Sequence, residues 1–135
     1  MSNVPKLRFA EFEQGWVTKR IAEVTKTVTD GTHFSPTTYK TGRYKYITSK
    51  NIRMGRMKLD DISYISETDH KHIYSTCAVK YGDVLLTKDG ASTGNICLNE
   101  LKEEFSLLSS VALIQADKNE TTNQYLYFYL SLIHI

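Results

Sequence analysis

The run Gly82-Asp83-Val84-Leu85-Leu86-Thr87-Lys88-Asp89-Gly90 limits the possible folds of this chain more than any other segment. Val84 to Thr87 is apolar or β-branched throughout and is bounded by turn residues on both sides. It is too short for a helix and unbroken enough to be buried. It therefore reads as a core strand fed by the tight turn Tyr81-Gly82-Asp83. Asp89-Gly90 then opens a loop closed by Gly94, and Asn95-Ile96-Cys97-Leu98 returns to form a hairpin.

A lone hairpin is marginal in water, so other strands must complete the sheet. Tyr44-Lys45-Tyr46-Ile47-Thr48 is aromatic and β-branched with partial alternation. Met54-Gly55 predicts a turn before a second alternating strand, Ile62-Ser63-Tyr64-Ile65. Ser109 to Gln115 reads as a further core strand. Three helices fit between them: one over 19–25 capped by Thr18 with Ile21 and Val24 inward, one over 67–75 that packs Ile73, and a last one capped by Thr121 or Thr122. The last carries Leu126, Tyr129, Leu130 and Ile133 on one stripe, with Tyr125 and Phe128 beside it.

These elements predict an α+β class: one domain with a mixed, twisted sheet of short strands, a few short helices and a C-terminal helix. Residues 1–17 form an irregular arm that docks its aromatics Phe9, Phe12 and Trp16. Residues 18–120 are the sheet core, and 121–135 begin the C-terminal helix. That helix reaches the chain end with no Gly or Asn cap, which points to a truncated product or a fragment.

The length of 135 residues suits one domain, and 41% hydrophobic with 24% charged is the balance of an ordinary globular protein. No apolar run is long enough to span a membrane, and Met1 to Lys6 lacks the apolar segment of a secretory signal, so a cytoplasmic location is expected. Cys77 and Cys97 show no C-x-x-C spacing and read as buried thiols.

Catalytic patterns fail one after another. Gly90-Ala91-Ser92-Thr93-Gly94 is followed by Asn95-Ile96 and has neither the spacing nor the lysine of a phosphate-binding loop. His70 and His72 lie two apart on a helical segment, do not share a face, and read as surface histidines with no second ligand cluster. Asp83, Lys88 and Asp89 fit a nuclease only loosely, because position 86 is Leu where a carboxylate is needed. No G-x-S-x-G is present. Catalytic and metal-binding residues are therefore expected to be absent.

The informative signal is charge. Residues 1–58 hold twelve Lys/Arg against four Asp/Glu, a local balance of +8, whereas residues 59–135 hold five against eleven, a balance of −6. Residues 39–58 contain Lys40, Arg43, Lys45, Lys50, Arg53, Arg56 and Lys58 without one acid, interleaved with Tyr39, Tyr44 and Tyr46. Lys and Arg neutralise phosphates, Ser and Thr bond phosphate oxygens, Asn pairs with adenine and Arg with guanine. Double-stranded DNA is the partner this segment fits.

Three segments taken together resemble the target-recognition domain of the specificity (S) subunit of Type I restriction–modification systems. They are Pro5-Lys6-Leu7-Arg8-Phe9 with Phe12, Trp16 and Ile21-Ala22-Glu23-Val24; Asp30-Gly31-Thr32-His33 with Pro36 and Tyr46-Ile47-Thr48-Ser49-Lys50-Asn51-Ile52; and Gly82 through Gly94. Ser110-Val111-Ala112-Leu113-Ile114 and the Tyr- and Leu-rich 124–132 continue in the same order. The resemblance implies a catalytically silent domain that reads one half of a bipartite target. Modification (methyltransferase) and restriction subunits would do the chemistry, and S-adenosylmethionine, ATP and Mg would belong to them, with no cofactor on this chain. The spacer helix and second domain of an S subunit are absent from the sequence, which puts docking of those subunits in doubt. DNA contacts are expected at Thr32 and His33, and in the basic segment at Tyr44, Lys45, Tyr46, Thr48, Ser49, Lys50, Asn51, Arg53, Arg56 and Lys58. The resemblance does not carry over which bases are read. Asn51 and Arg53 are the expected base readers. Gly82–Gly94 is expected to be scaffold, with Lys88 and Ser92 at most touching the DNA backbone. The competing expectations are a small metal-dependent nuclease and an inert remnant.

Overall fold

The apolar run Val84–Thr87 is an inner strand of a sheet covered on both sides. The structure, a computed structural model, describes residues 4–132. Strands β1 (Thr25–Asp30), β6 (Val84–Thr87), β7 (Ile96–Leu98) and β9 (Val111–Ala116) form a four-stranded antiparallel sheet in the order β1-β9-β6-β7. Leu85, Val111 and Leu113 face one core, shared with Ile47, Ile52, Phe105 and Leu107. Val84, Ile114 and Ala116 face another, closed by helix α3 (Asn123–Leu132) through Leu126, Tyr127 and Leu130. Two covered faces explain why Val84 to Thr87 has no polar alternation.

A smaller mixed sheet lies against the first core. Its middle strand β2 (Tyr44–Ile47) pairs antiparallel with β5 (Ser63–Ile65) and parallel with β8 (Ser106–Leu107). Helix α2 (Glu67–Tyr74) follows β5; Ser66 caps it by accepting the Asp69 N–H at 3.2 Å, and Ile73 is buried against Tyr46 and Ile65. Between β2 and β5, a one-turn 3-10 helix (Ser49–Asn51) leads into a two-stranded ribbon of β3 (Ile52–Arg53) and β4 (Arg56–Met57). Gly55 turns that ribbon at φ 81°, in the left-handed region that glycine tolerates. The class is α+β, with a C-terminal helix.

Several local expectations need correction. The helix expected over 19–25 is one turn, α1 (Ile21–Val24), preceded by Arg20 rather than capped by Thr18. The Arg20 N–H donates to the Glu23 carboxylate at 2.6 Å. Ile21 is exposed rather than inward, and Thr25 already starts β1. Thr25-Lys26-Thr27-Val28-Thr29 alternates like a strand, and pairing with β9 overrides the weak helical pattern. The arm does not dock its aromatics on the described domain: Phe9 is 75% exposed and Trp16 61%. On α3, Thr122 is the cap, accepting the Tyr125 N–H at 3.1 Å, and Leu126 and Leu130 face inward as expected. Tyr129 is exposed and Tyr127 packs in its stead, while Ile133 lies outside the described residues. His72 is on the surface, but His70 is buried, because it shares the inward face of α2 with Ile73.

Both cysteines are free and buried, as expected, and burial pushes each thiol up to about 12. Among the described residues, no helix is long and apolar enough to cross a membrane.

Candidate nucleic-acid interface

Four connections meet at one end of the main sheet, where β1 and β6 finish and β7 and β9 begin. Backbone hydrogen bonds stitch them together. Thr32 N–H donates to the Leu107 carbonyl at 2.8 Å, and the Thr32 carbonyl accepts from Ser109 at 3.0 Å. Leu108 N–H donates to Ile47 at 3.0 Å, and Lys88 N–H to Ser110 at 2.9 Å. Asn95 Nδ2 reaches the Ile52 carbonyl at 3.2 Å. The Gly31 backbone lies so close to Leu107 that an added Cβ would fall 2.0 Å from its carbonyl oxygen, so no other residue fits there. The segments around Thr32–His33, Thr48–Asn51 and Lys88–Asn95, far apart in sequence, thereby form one composite surface.

A charged network crosses that surface. Asp30 lies between His33 Nε2 at 3.1 Å and Lys88 Nζ at 3.3 Å, and Lys88 also meets Asp89 at 3.1 Å. Burial pushes the Asp30 carboxyl up, but the hydrogen bonds from His33 and Lys88 outweigh it and hold the group below the ordinary carboxylate range. The bond to Asp89, with that to Asp30, holds the Lys88 ammonium above the usual lysine value.

The predicted contact residues divide into three groups. Thr32, Tyr46 and Asn51 are buried and serve the fold. Thr32 Oγ1 accepts the Phe34 N–H at 3.2 Å, and Tyr46 packs on Ile65 and Ile73. Asn51 is 1% exposed and uses its whole amide: Oδ1 accepts from Thr48 N–H, and Nδ2 donates to the carbonyls of Lys58 and Asp61. Its expected role as an adenine reader is therefore corrected, because both amide hydrogens are spent on the backbone and the side chain is buried away from any base edge.

The second group is charged but already paired. Lys45 meets Glu103 at 2.7 Å, Lys50 meets Asp61 at 3.2 Å, and His33 and Lys88 join the Asp30 network. The sequence places no acid within 39–58, yet the fold brings acids from β5's approach and from the loop before β8. The third group is open. Arg53, Arg56 and Lys58 have no ion pair among the described residues, Thr48, Ser49 and Ser92 are half-buried, and Tyr44 is half-buried on a ring stack.

That stack was not legible in the sequence. The Tyr44 ring lies on His70 with centroids 4.1 Å apart and planes at 9°, and the Arg43 guanidinium sits 5.0 Å from the Tyr44 centroid. His70 is fixed by Ser106 Oγ at 2.8 Å and the Glu104 carboxylate at 3.1 Å. His70 is tied to Ser106 and Glu104, and Asp30 to Lys88, by contacts between distant segments for which no local pattern exists.

The nuclease candidates do not meet as a set: Lys88 pairs with Asp89, but Asp83 stands apart. Asp83 lies at the start of β6 and Asp89 beyond its end. The Asp83 carboxylate accepts from Lys80 N–H at 2.8 Å, Gln115 Nε2 at 2.6 Å and Asn123 Nδ2 at 3.4 Å. These bonds tie β9 and α3 to the turn before β6. Among the described residues, no three His, Cys, Asp or Glu side chains come together as a metal would require.

A family model described as Type I restriction modification DNA specificity domain matches residues 13–134. No curated protein matches the chain.

Proposed function

The chain belongs to the Type I restriction modification DNA specificity domain family, and from that premise we propose that it reads one half of a bipartite duplex target for a partner methyltransferase. The family role is DNA target recognition by a non-catalytic domain. The finer reading is that modification and restriction subunits supply all the chemistry, with S-adenosylmethionine, ATP and Mg bound there and no cofactor on this chain.

The observation that carries this reading is the composite surface at the end of the main sheet. The segments around Thr32–His33, Thr48–Asn51 and Lys88–Asn95 converge there. The Ile52–Met57 ribbon, whose Arg53 and Arg56 are unpaired among the described residues, is tied to the start of β7 through Asn95 and Ile96. A rigid sheet holding several loops at one end is the arrangement a recognition site requires. Half-buried hydroxyls at Thr48, Ser49 and Ser92 supply phosphate ligands, and exposed His33 supplies a donor or acceptor for a base.

Duplex binding measured across salt concentration tests it. Neutralised phosphates release counterions, so log K must fall steeply and linearly with log salt. Weak binding with a flat salt dependence, or metal-dependent cleavage of DNA by the purified chain, sinks the reading.

A further inference from the structure

A ribbon whose inner face is packed cannot turn its outer face away. In β3–β4, Ile52 and Met57 face the core at 0% and 5% exposed, and Arg53 and Arg56 are direct cross-strand partners on the opposite face. The ribbon is also held at its tip, where Gly55 N–H donates to the Ile96 carbonyl at 2.8 Å. Like charges at paired positions oppose folding. Elsewhere the fold sets an acid against cations of the surface: Lys45 with Glu103, Lys50 with Asp61, Lys88 with Asp30 and Asp89. Neither guanidinium of the ribbon has a hydrogen bond or ion pair among the described residues. The Glu100 carboxylate, close by, accepts the Met57 N–H at 3.0 Å and pairs with neither arginine.

Resting on the recognition reading above, we propose that Arg53 and Arg56 clamp one backbone phosphate of the duplex between them and so set affinity rather than base preference. A phosphodiester brings the full negative charge that cancels the repulsion. A guanine edge is neutral and leaves both positive charges in place. Two planar forks suit bidentate contact with one anion. Lys58, two residues beyond Arg56 and so on the same side of its strand, extends the cationic strip. Arg53, expected from sequence to read a base, is thereby reassigned to the phosphate backbone.

The test uses Arg53→Gln, Arg56→Gln and the double variant, which keep the side-chain stems. Inorganic phosphate should raise the melting temperature of the wild-type chain and leave that of the double variant unmoved. Without phosphate and at low salt, each single variant should melt above wild type, a shift that a merely structural arginine does not produce. On duplex DNA the log K against log salt slope should become shallower by about one per substitution. The sequences selected from a random duplex library should stay the same. A changed selected sequence assigns the pair to base reading and overturns the clamp, as does an unchanged slope. A wild-type chain that binds no duplex fails the recognition reading and the DNA part of the clamp, and the anion site then stands or falls on the phosphate melt alone.

Discussion

The Asn51 side-chain amide donates to the Lys58 carbonyl at 2.9 Å, closing the open end of the β3–β4 ribbon. The same amide bonds the Asp61 carbonyl and the Thr48 N–H, so one buried side chain fixes three backbone segments. Asn51→Ala leaves those groups without partners, each at a cost of about 1–3 kcal/mol. Chemical denaturation should show a stability loss in that range or above. Duplex selection by the folded variant should return an unchanged base preference; a relaxed preference at one position with native stability contradicts the structural role.

Asp83 is the corresponding knot at the other end of β6. Asp83→Ala strips the acceptor from Gln115 Nε2 and Lys80 N–H, and loosens the Asn123 side chain at the start of α3. The expected loss is about 2–4 kcal/mol in urea unfolding, because buried donors are left unsatisfied. A variant as stable as wild type would falsify the assignment of Asp83 to the fold.

Asp30 makes stability depend on pH in a defined direction. Its folded value lies below the ordinary 3.8, so its contribution is complete above that value and is lost as pH falls through the lower folded value. Asp30→Asn should therefore melt below wild type at neutral pH, and the gap should close under strongly acid conditions. A gap that persists at a pH well below the folded value removes the His33 and Lys88 bonds as its cause.

The thiols of Cys77 and Cys97 are buried and raised to about 12. A thiolate is the reactive form, so neither should titrate with a disulfide reagent at mildly alkaline pH until denaturant is added. Rapid labelling of the native chain at either position means that its cover opens readily.

Trp16 is the single tryptophan and is 61% exposed on the arm. Its fluorescence should be red-shifted and readily quenched by acrylamide in the isolated chain. A blue-shifted, protected signal shows that the arm packs its aromatics after all.

Legibility followed locality. The Gly82–Leu98 hairpin, the threonine cap of the last helix (narrowed to Thr121 or Thr122) and the helix over Glu67–Tyr74 each rest on residues adjacent in sequence, and all are readable there. Strand β1 was missed because its six β-branched or polar residues are held as a strand by β9, far along the chain. The burial of His70 depends on Ser106 and Glu104, which the helical pattern around it cannot foretell. The charge pattern of 39–58 correctly marked a cationic region. It did not separate Lys45 and Lys50, which meet acids from elsewhere, from Arg53 and Arg56, which meet none. Asn51 misled for a plain reason: an amide that suits adenine suits three backbone groups equally well.

The antiparallel partnership of β1 with β9 also has a consequence on the ribosome. Thr27 lies opposite Gln115 and Asp30 opposite Ala112, so the earliest strand of the main sheet waits for the latest. Strand β6 likewise lacks its β9 neighbour until then. Until synthesis passes Ala116, the Val84–Thr87 run and the β1 edge have no common partner, and the nascent chain carries an apolar strand paired on one side only.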